Sequence, residues 1–256
     1  MLISNFFRSI FHANKTYCPI CQSMGLGFKP LDNFFIEKYQ SLGFKYYQDG
    51  EMTAVDTYSC EKCGASDRER LYAHWIDGEF SHSKSNRGQS VIHFAPEENL
   101  SRYLRSKIFI DKYITCDLYM EHVDIKANIE NLPISNESFD FFICSHVLEH
   151  VDNDSVALKE LYRITKTGGR GILMVPIVMG IEKTLEDTNP MLSEHDRWRY
   201  FGQDDHMRLY AHNDYVKKIT DAGFSVLQLG EQSFEDKLFL RLGLKSSSIL
   251  YIANKL

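Results

Sequence analysis

From residue 90 onward, short apolar runs alternate with amphipathic segments, and no other feature limits the possible folds so strongly. The run Phe139–Cys144 (FDFFIC) is almost wholly apolar, as expected of a strand buried on both faces of a parallel sheet. Apolar residues recur at helical spacing in Asn153–Thr165, and Gly168-Gly169 follows as a helix break. The pattern predicts a seven-stranded, doubly wound α/β sheet with an antiparallel last strand. The predicted strands are Val91–Ala95, Tyr113–Cys116, Val123–Ile125, Phe139–Cys144, Gly171–Pro176, Phe224–Leu229 and Ile249–Ala253.

Four of the six cysteines form two close pairs, Cys18 with Cys21 and Cys60 with Cys63. Each CxxC pair can place two thiolates in one turn, and two such turns supply four soft ligands for tetrahedral Zn²⁺. Four thiolates leave no open coordination position, so the expected zinc is structural. The alternative interpretation is a set of four reduced, buried cysteines.

The 256 residues are sufficient for one α/β core and a small accessory unit. The polar stretch Ser81–Gln89 predicts a linker. It divides the chain into 1–85, an N-terminal helix with a small zinc-ribbon domain, and 86–256, the α/β domain. The net charge of −6 gives no general attraction to nucleic acid or anionic membranes, so a nucleic-acid partner is not expected.

The segment Met1–Ala13 is apolar but is interrupted by Arg8 and His12. It is interpreted as a short amphipathic helix on the body of the protein, with a weak membrane-surface anchor as the alternative. No run approaches the ~20 apolar residues that span a bilayer, and no export signal is recognisable. These observations predict no membrane span and a cytoplasmic location.

The ends of the first two predicted strands suggest a nucleotide site of unusual composition. Asp117 ends the second strand about 20 residues after Ala95, the spacing at which an acidic side chain binds both hydroxyls of a ribose. The alternative role for Asp117 is to form a turn at the strand end. The first strand continues into Pro96 and Glu97 (HFAPE), without the usual glycine-rich turn.

Several short motifs strengthen this prediction: NLPI (131–134), SFD (138–140), VLEHV (147–151), LYRI (161–164) and the glycine pair 168–169. Together they strongly resemble the corresponding stretches of class I S-adenosylmethionine (SAM) dependent methyltransferases. HFAPE, preceded by the two CxxC pairs, and FGQDDHMRLY (201–210) are similar to a zinc-ribbon subgroup of methyltransferase type 11 proteins. Some similar proteins act in surface-polysaccharide biosynthesis, including capsule modification with methylated phosphoramidate. The resemblance runs from Val91 to about Gly223 and implies a Rossmann-like domain with SAM as its cofactor.

By position, the resemblance also assigns roles to individual residues. Ala95 and Glu97 correspond to the methionine end of SAM, and Asn128 and Ile129 to the adenine. Asn128 stands where relatives often have Asp, and its carbonyl oxygen can accept the same hydrogen bond. For Glu97, the alternative is a favourable charge in the first turn of a helix. The complete implied cofactor set is Ala95, Glu97, Asp117, Asn128, Ile129 and His146, with His146 beside the transferable methyl group.

The stretch from about 177 to 212 follows the fifth strand and is predicted to cover the substrate, because ligands of such sheets bind beyond the carboxyl ends of the strands. His206 is the expected catalytic base, since an imidazole exchanges a proton near neutral pH, and His146 is the second candidate. The expected substrate-binding residues are His195, Arg199, Asp205 and Arg208, with the arginines suited to an anionic acceptor. The alternative for each residue is a surface salt bridge.

These features predict a SAM-dependent O-methyltransferase in surface-polysaccharide biosynthesis. Its small-molecule acceptor would be of sugar or phosphate type, with a phosphoramidate among the candidates. One alternative is a zinc-ribbon RNA base methyltransferase, which would need a basic stripe. Another is a noncatalytic scaffold protein with the SAM-binding fold, suggested by the missing glycine turn.

Overall fold

The computed structural model describes residues 15–80 and 88–256. The predicted helix Met1–Ala13 and the predicted domain boundary at 85/86 lie outside these residues. The described helices are α1 (Asn33–Leu42), α2 (Asp67–Phe80), α3 (Glu98–Arg105), α4 (Asp154–Ile164), α5 (Glu194–Phe201), α6 (His212–Asp221) and α7 (Leu238–Leu242). None of them is long and apolar enough to cross a lipid bilayer.

Thirteen strands are present in the described residues, and seven of them build one central sheet. The strands are β1 (Tyr17–Cys18), β2 (Ser23–Met24), β3 (Phe28–Lys29), β4 (Ser59–Cys60), β5 (Gln89–Phe94), β6 (Ile110–Asp117), β7 (Ile125–Lys126), β8 (Phe139–Ser145), β9 (Thr165–Met174), β10 (Leu185–Glu186), β11 (Arg208–Leu209), β12 (Ser225–Leu229) and β13 (Leu250–Asn254).

The central sheet has the order β12-β13-β9-β8-β5-β6-β7. Strands β7, β6, β5, β8 and β9 run parallel, and β13 runs antiparallel to both of its neighbours. The predicted Rossmann-like sheet with an antiparallel last strand is therefore confirmed. The chain leaves β5 toward β6 on one side and later returns to β8 on the other. This reversal of strand order creates a crevice beyond the carboxyl ends of β5, β6 and β8.

The sequence predicts that Gly168 and Gly169 end a helix, but the structure places them elsewhere. Helix α4 already ends at Ile164, and β9 begins at the next residue, so Gly168 and Gly169 lie inside the strand. A Cβ atom on Gly169 would lie 2.9 Å from the carbonyl oxygen of Asp140. Gly169 thus permits close strand approach, whereas Gly168 has a left-handed φ of +79° and open space at its Cβ position, and the pair does not end the helix.

Helix α2 packs into the same hydrophobic core as the sheet. Leu71, Tyr72 and Ile76 are buried in that core. Trp75 stacks on Phe141 of β8 with ring centroids 6.0 Å apart. The helix that follows the second cysteine pair therefore ties the N-terminal segment to the sheet. The division into two units remains a prediction.

Candidate active site and metal centre

The four paired cysteines form one cluster. Their Sγ atoms all lie within 4.8 Å of one another. The Sγ atoms of Cys18 and Cys63 are 3.7 Å apart, and those of Cys21 and Cys60 are 3.8 Å apart. A tetrahedral zinc ion with Zn–S bonds of about 2.3 Å requires sulfur atoms about 3.8 Å apart. Two of the six sulfur–sulfur distances have this value, and the four thiols are the donor set that the expected zinc requires.

The 38 residues between the two cysteine pairs (22–59) form a segment that we call the spacer. The spacer contains α1, which packs against α5 of the predicted covering insertion. Tyr39 of α1 lies 6.1 Å from Trp198 of α5, measured between ring centroids. Phe44 belongs to a small apolar cluster with Phe201 and Leu209. The spacer therefore reaches from the cysteine cluster to the carboxyl end of the sheet.

Two cavities open beyond the carboxyl ends of the parallel strands. The first, which we call the strand-end cavity, has a volume of about 330 Å³ and lies where β5, β6, β7 and β8 end. It is lined by five of the six predicted cofactor residues: Ala95, Asp117, Asn128, Ile129 and His146. The position agrees with the crevice at which such sheets bind nucleotides.

Backbone conformation and hydrogen bonds shape the strand-end cavity. Ala95 has a φ of +44°, a left-handed value that is rare without glycine. Asp117 Oδ1 accepts hydrogen bonds from the backbone N–H groups of Tyr119 and Met120, both at 2.7 Å. Asp117 therefore forms the alternative turn and also lines the cavity. The Oδ1 atom of Asn128 accepts a backbone hydrogen bond from Glu130 at 2.9 Å.

Glu97, the sixth predicted cofactor residue, is not part of the strand-end cavity wall. Its Oε2 lies 2.9 Å from Nε2 of the buried His93, and its Oε1 lies 3.6 Å from Nε of Arg68. Burial opposes ionisation of Glu97, but the hydrogen bond and charge of His93 and the charge of Arg68 lower its pKa to about 2. Glu97 is thus a carboxylate that holds Arg68, a residue that the sequence analysis missed.

Replacement of Asp117 by alanine is expected to weaken SAM binding by roughly 1–3 kcal/mol, the scale of a lost hydrogen bond to a charged group. Isothermal titration calorimetry measures the effect. Asp117→Asn is the matched control for the turn, because its side-chain oxygen can still accept the two backbone hydrogen bonds. Unchanged SAM affinity in a folded Asp117→Ala protein would remove Asp117 from the cofactor site.

The second cavity, which we call the aromatic cavity, has a volume of about 360 Å³. That volume is within the range of small-molecule sites. Its aromatic wall comes mainly from the spacer, and the covering insertion contributes further residues. The lining includes Phe35, Tyr39, Phe44, Tyr46, Tyr47, Glu51, Asp67, Arg68, Glu149, Phe201, Gln203 and His206. His146 and His150 line both cavities, so the two cavities meet at these side chains.

The meeting point contains a buried carboxylate. Glu149 has no exposed surface, and His146 Nδ1 lies 3.1 Å from its Oε1 without hydrogen-bond alignment. Burial opposes ionisation, but the contact with His146 and the charges of His146 and His150 lower the pKa of Glu149 to about 2. His146 has a φ of +55°, and such unusual backbone values often mark functional sites.

His206 differs from the base predicted from the sequence. It lines the aromatic cavity, but only 4% of its surface is exposed. Burial lowers the pKa of His206 to about 4. Its Nδ1 lies 3.1 Å from the carbonyl oxygen of Phe201, so the Nδ1–H donates to that oxygen. His206 is therefore a neutral imidazole with a free Nε2 and is a weaker base than expected.

The other predicted substrate residues are distributed differently from expectation. Asp205 lines the strand-end cavity, where its Oδ2 lies 3.2 Å from His150 Nδ1. His195 and Arg199 are exposed on α5 and line neither cavity. Arg208 is completely buried, and its guanidinium donates to protein oxygens, including the carbonyls of residues 148 and 151 at 2.6 Å each. Neither Arg199 nor Arg208 lines one of these two cavities, so their contact with an anionic acceptor stays a prediction.

Residues 77–173 match the family of methyltransferase domains. The match covers the middle of the chain, and the sheet has the Rossmann-like α/β fold of methyltransferase domains. The ubiquinone/menaquinone biosynthesis C-methyltransferase UbiE of Rhizobium meliloti is 32% identical over 119 residues, which are 40% of this chain and 43% of that protein. UbiE of Escherichia coli K12 is 28% identical over 113 residues, or 39% and 44% of the two chains. The chain thus spans less than half the length of these curated relatives.

Two solved structures share the general architecture at low sequence identity. The SAM-dependent methyltransferase of Mesorhizobium loti is 11% identical, with a TM-score of 0.42 and coverage of 66% of this chain and 91% of that chain. The carbon methyltransferase CurJ is 14% identical, with a TM-score of 0.45 and coverage of 73% and 53%.

Proposed function

We propose that the protein transfers a methyl group from SAM in the strand-end cavity to a small acceptor in the aromatic cavity. The observation that carries this proposal is the meeting of both cavities at His146 and His150. Asp117 would bind the ribose, and Ile129 would pack on the adenine. Methyl transfer needs mainly the alignment of donor and acceptor, which can supply about 7–11 kcal/mol of barrier reduction. Two adjoining cavities provide that alignment.

The acceptor atom is proposed to be an oxygen of a neutral, hydroxylated ring of sugar type. The aromatic cavity offers tyrosine faces for such a ring and three carboxylates, Glu51, Asp67 and Glu149, as hydrogen-bond acceptors for hydroxyl groups. A phosphate or phosphoramidate acceptor is less suited to this wall, because Arg68, the arginine among its described lining residues, already faces the carboxylate of Glu97. The role in surface-polysaccharide biosynthesis rests on the sequence resemblance.

The test is a transfer assay with isotopically labelled SAM. The acceptor panel contains nucleotide-linked sugars, a phosphoramidate, a phenolic or quinol ring and rRNA, and the methylated atom is identified by NMR. The expected product is an O-methyl sugar. A C-methyl product would instead agree with the reaction named for the UbiE relatives, and a methylated RNA base would support the RNA alternative. Absence of SAM binding in calorimetry would contradict the enzyme proposal and favour the scaffold alternative.

A further inference from the structure

We propose that Glu149, His150 and His206 form a binding site for one divalent transition-metal ion, separate from the four-cysteine cluster. The ligand atoms of these three side chains all lie within 4.8 Å of one another. Two imidazoles and one carboxylate are a common donor set for zinc, iron and manganese. The site lies where the strand-end cavity and the aromatic cavity meet, and it retains open positions for a substrate atom.

The hydrogen bonds of the two histidines orient them as metal ligands. His150 Nδ1 lies 3.2 Å from Asp205 Oδ2, and His150 Nε2 is 3.9 Å from Glu149 Oε1. His206 Nδ1–H donates to the carbonyl oxygen of Phe201, which leaves the lone pair on Nε2. Metal-binding histidines in general donate their second N–H to a carboxylate or a backbone carbonyl. In both histidines, the ring nitrogen that would not bind the metal therefore has the partner expected in a metal-binding histidine.

The burial of the Glu149 carboxylate is a second indication of a bound cation. Its side chain is fully buried, and within the described part of the chain neither carboxylate oxygen has a hydrogen-bond partner. A buried carboxylate without such partners is costly unless a cation compensates its charge. Glu149 also lines the aromatic cavity, so its oxygens are accessible to an ion that enters there. The alternative source of positive charge beside Glu149 is a protonated His146, whose Nδ1 lies 3.1 Å from Glu149 Oε1.

The role of the ion rests on the proposed function. A hydroxyl group of the acceptor that binds the ion would become more acidic and would be held near the SAM methyl group. In the transfer, the acceptor oxygen bonds to the methyl carbon while the carbon–sulfur bond breaks and its electron pair goes to sulfur. The hydroxyl proton passes to His146, which lines both cavities. Glu149, His150 and His206 would thus determine both the position and the reactivity of the acceptor oxygen.

The test is a Mn²⁺ titration of the full-length protein that contains one zinc ion per chain, monitored by the electron paramagnetic resonance signal of free Mn²⁺. Mn²⁺ binds less tightly than zinc and prefers oxygen ligands to thiolates, so it does not displace zinc from the four cysteines. One Mn²⁺ per chain is expected, with affinity reduced roughly 10²-fold or more by Glu149→Gln and by His206→Gln. Asp205→Asn changes an exposed side chain that orients His150, and it should weaken binding about 10- to 100-fold.

Glu182→Gln and His122→Gln are the matched controls, because both residues are exposed and line neither cavity. Their Mn²⁺ affinity should equal that of the wild type, and circular dichroism checks the fold of every variant. No Mn²⁺ binding at millimolar concentration, or equal binding by wild type, Glu149→Gln and Asp205→Asn, would overturn the proposal. The titration needs neither SAM nor acceptor. If the protein binds Mn²⁺ but transfers no methyl group, only the proposed function is contradicted. If it transfers methyl groups in the presence of a chelator and binds no Mn²⁺, only the metal site is contradicted.

Discussion

Replacement of both Cys18 and Cys60 by serine is expected to remove about one Zn²⁺ per chain and to unfold the spacer. The reason is the size of the metal's contribution, since structural zinc supplies on the order of 10 kcal/mol to folding small metal-binding segments. This contribution is comparable with the whole stability of a typical domain, about 5–15 kcal/mol. Metal analysis gives the zinc content, and circular dichroism melts give the loss of structure.

Cys116→Ser and Cys144→Ser are the controls for this prediction. Both cysteines are buried in the central sheet and are not part of the four-sulfur cluster. These variants should keep their zinc and lose stability only through local changes in the core. A Cys18→Ser/Cys60→Ser protein that lacks metal but melts like the wild type would contradict the structural role of zinc.

Replacement of Arg208 by methionine is expected to lower the free energy of unfolding by about 2–5 kcal/mol, because each buried acceptor left without a partner costs roughly 1–3 kcal/mol. The guanidinium of Arg208 donates to Glu186 Oε1 at 2.8 Å and to the carbonyls of Leu148 and Val151. These two carbonyls flank Glu149 and His150 in the chain. The change therefore leaves buried acceptors without partners in the loop that joins the two cavities. Urea denaturation followed by fluorescence measures the loss.

Arg199→Met is the matched control, because Arg199 is exposed on α5, and a surface change of this kind usually alters stability by less than about 0.5 kcal/mol. Arg208→Lys keeps the charge but cannot reproduce the forked contacts, so its stability should lie between those of wild type and Arg208→Met. If Arg208 instead contacts an anionic acceptor, Arg208→Met would raise the acceptor KM without a change in stability.

The sheet could be predicted from the sequence because its signal is local. A run such as Phe139–Cys144 is apolar whatever its neighbours are, so it predicts a buried strand by itself. The alternation of such strands with helices along the chain then predicts which strands are parallel. The start of β9 was predicted wrongly, because Gly168 and Gly169 are equally consistent with a helix end and with close strand packing. Only the position of the Asp140 carbonyl oxygen distinguishes the two roles.

The cofactor side was easier to predict than the acceptor side for a similar reason. Asp117 follows a strand whose carboxyl end must face the crevice, so its place is determined by the topology. Arg199 and Arg208 lie in an irregular insertion, where sequence gives no direction for a side chain. One of them is exposed and the other is enclosed among backbone carbonyls.

Two contributions to the acceptor side were missed in the sequence. Glu149 lies in the VLEHV motif, which served only to support the family resemblance, although an acidic residue in an apolar motif is itself a signal of function. The 38 residues between the cysteine pairs carry no motif that predicts a substrate wall. Their seven Phe and Tyr residues between 34 and 58 could have indicated a ligand-binding wall.

Both ends of the spacer meet at the four cysteines, and its middle forms part of the wall of the aromatic cavity. The described residues that line the strand-end cavity all lie outside the spacer, from Phe94 onward. If zinc holds the four cysteines, its loss would therefore reach the proposed acceptor side before the proposed cofactor side. The supply of this metal would then act on the selectivity of the protein for acceptors and not on its affinity for the methyl donor.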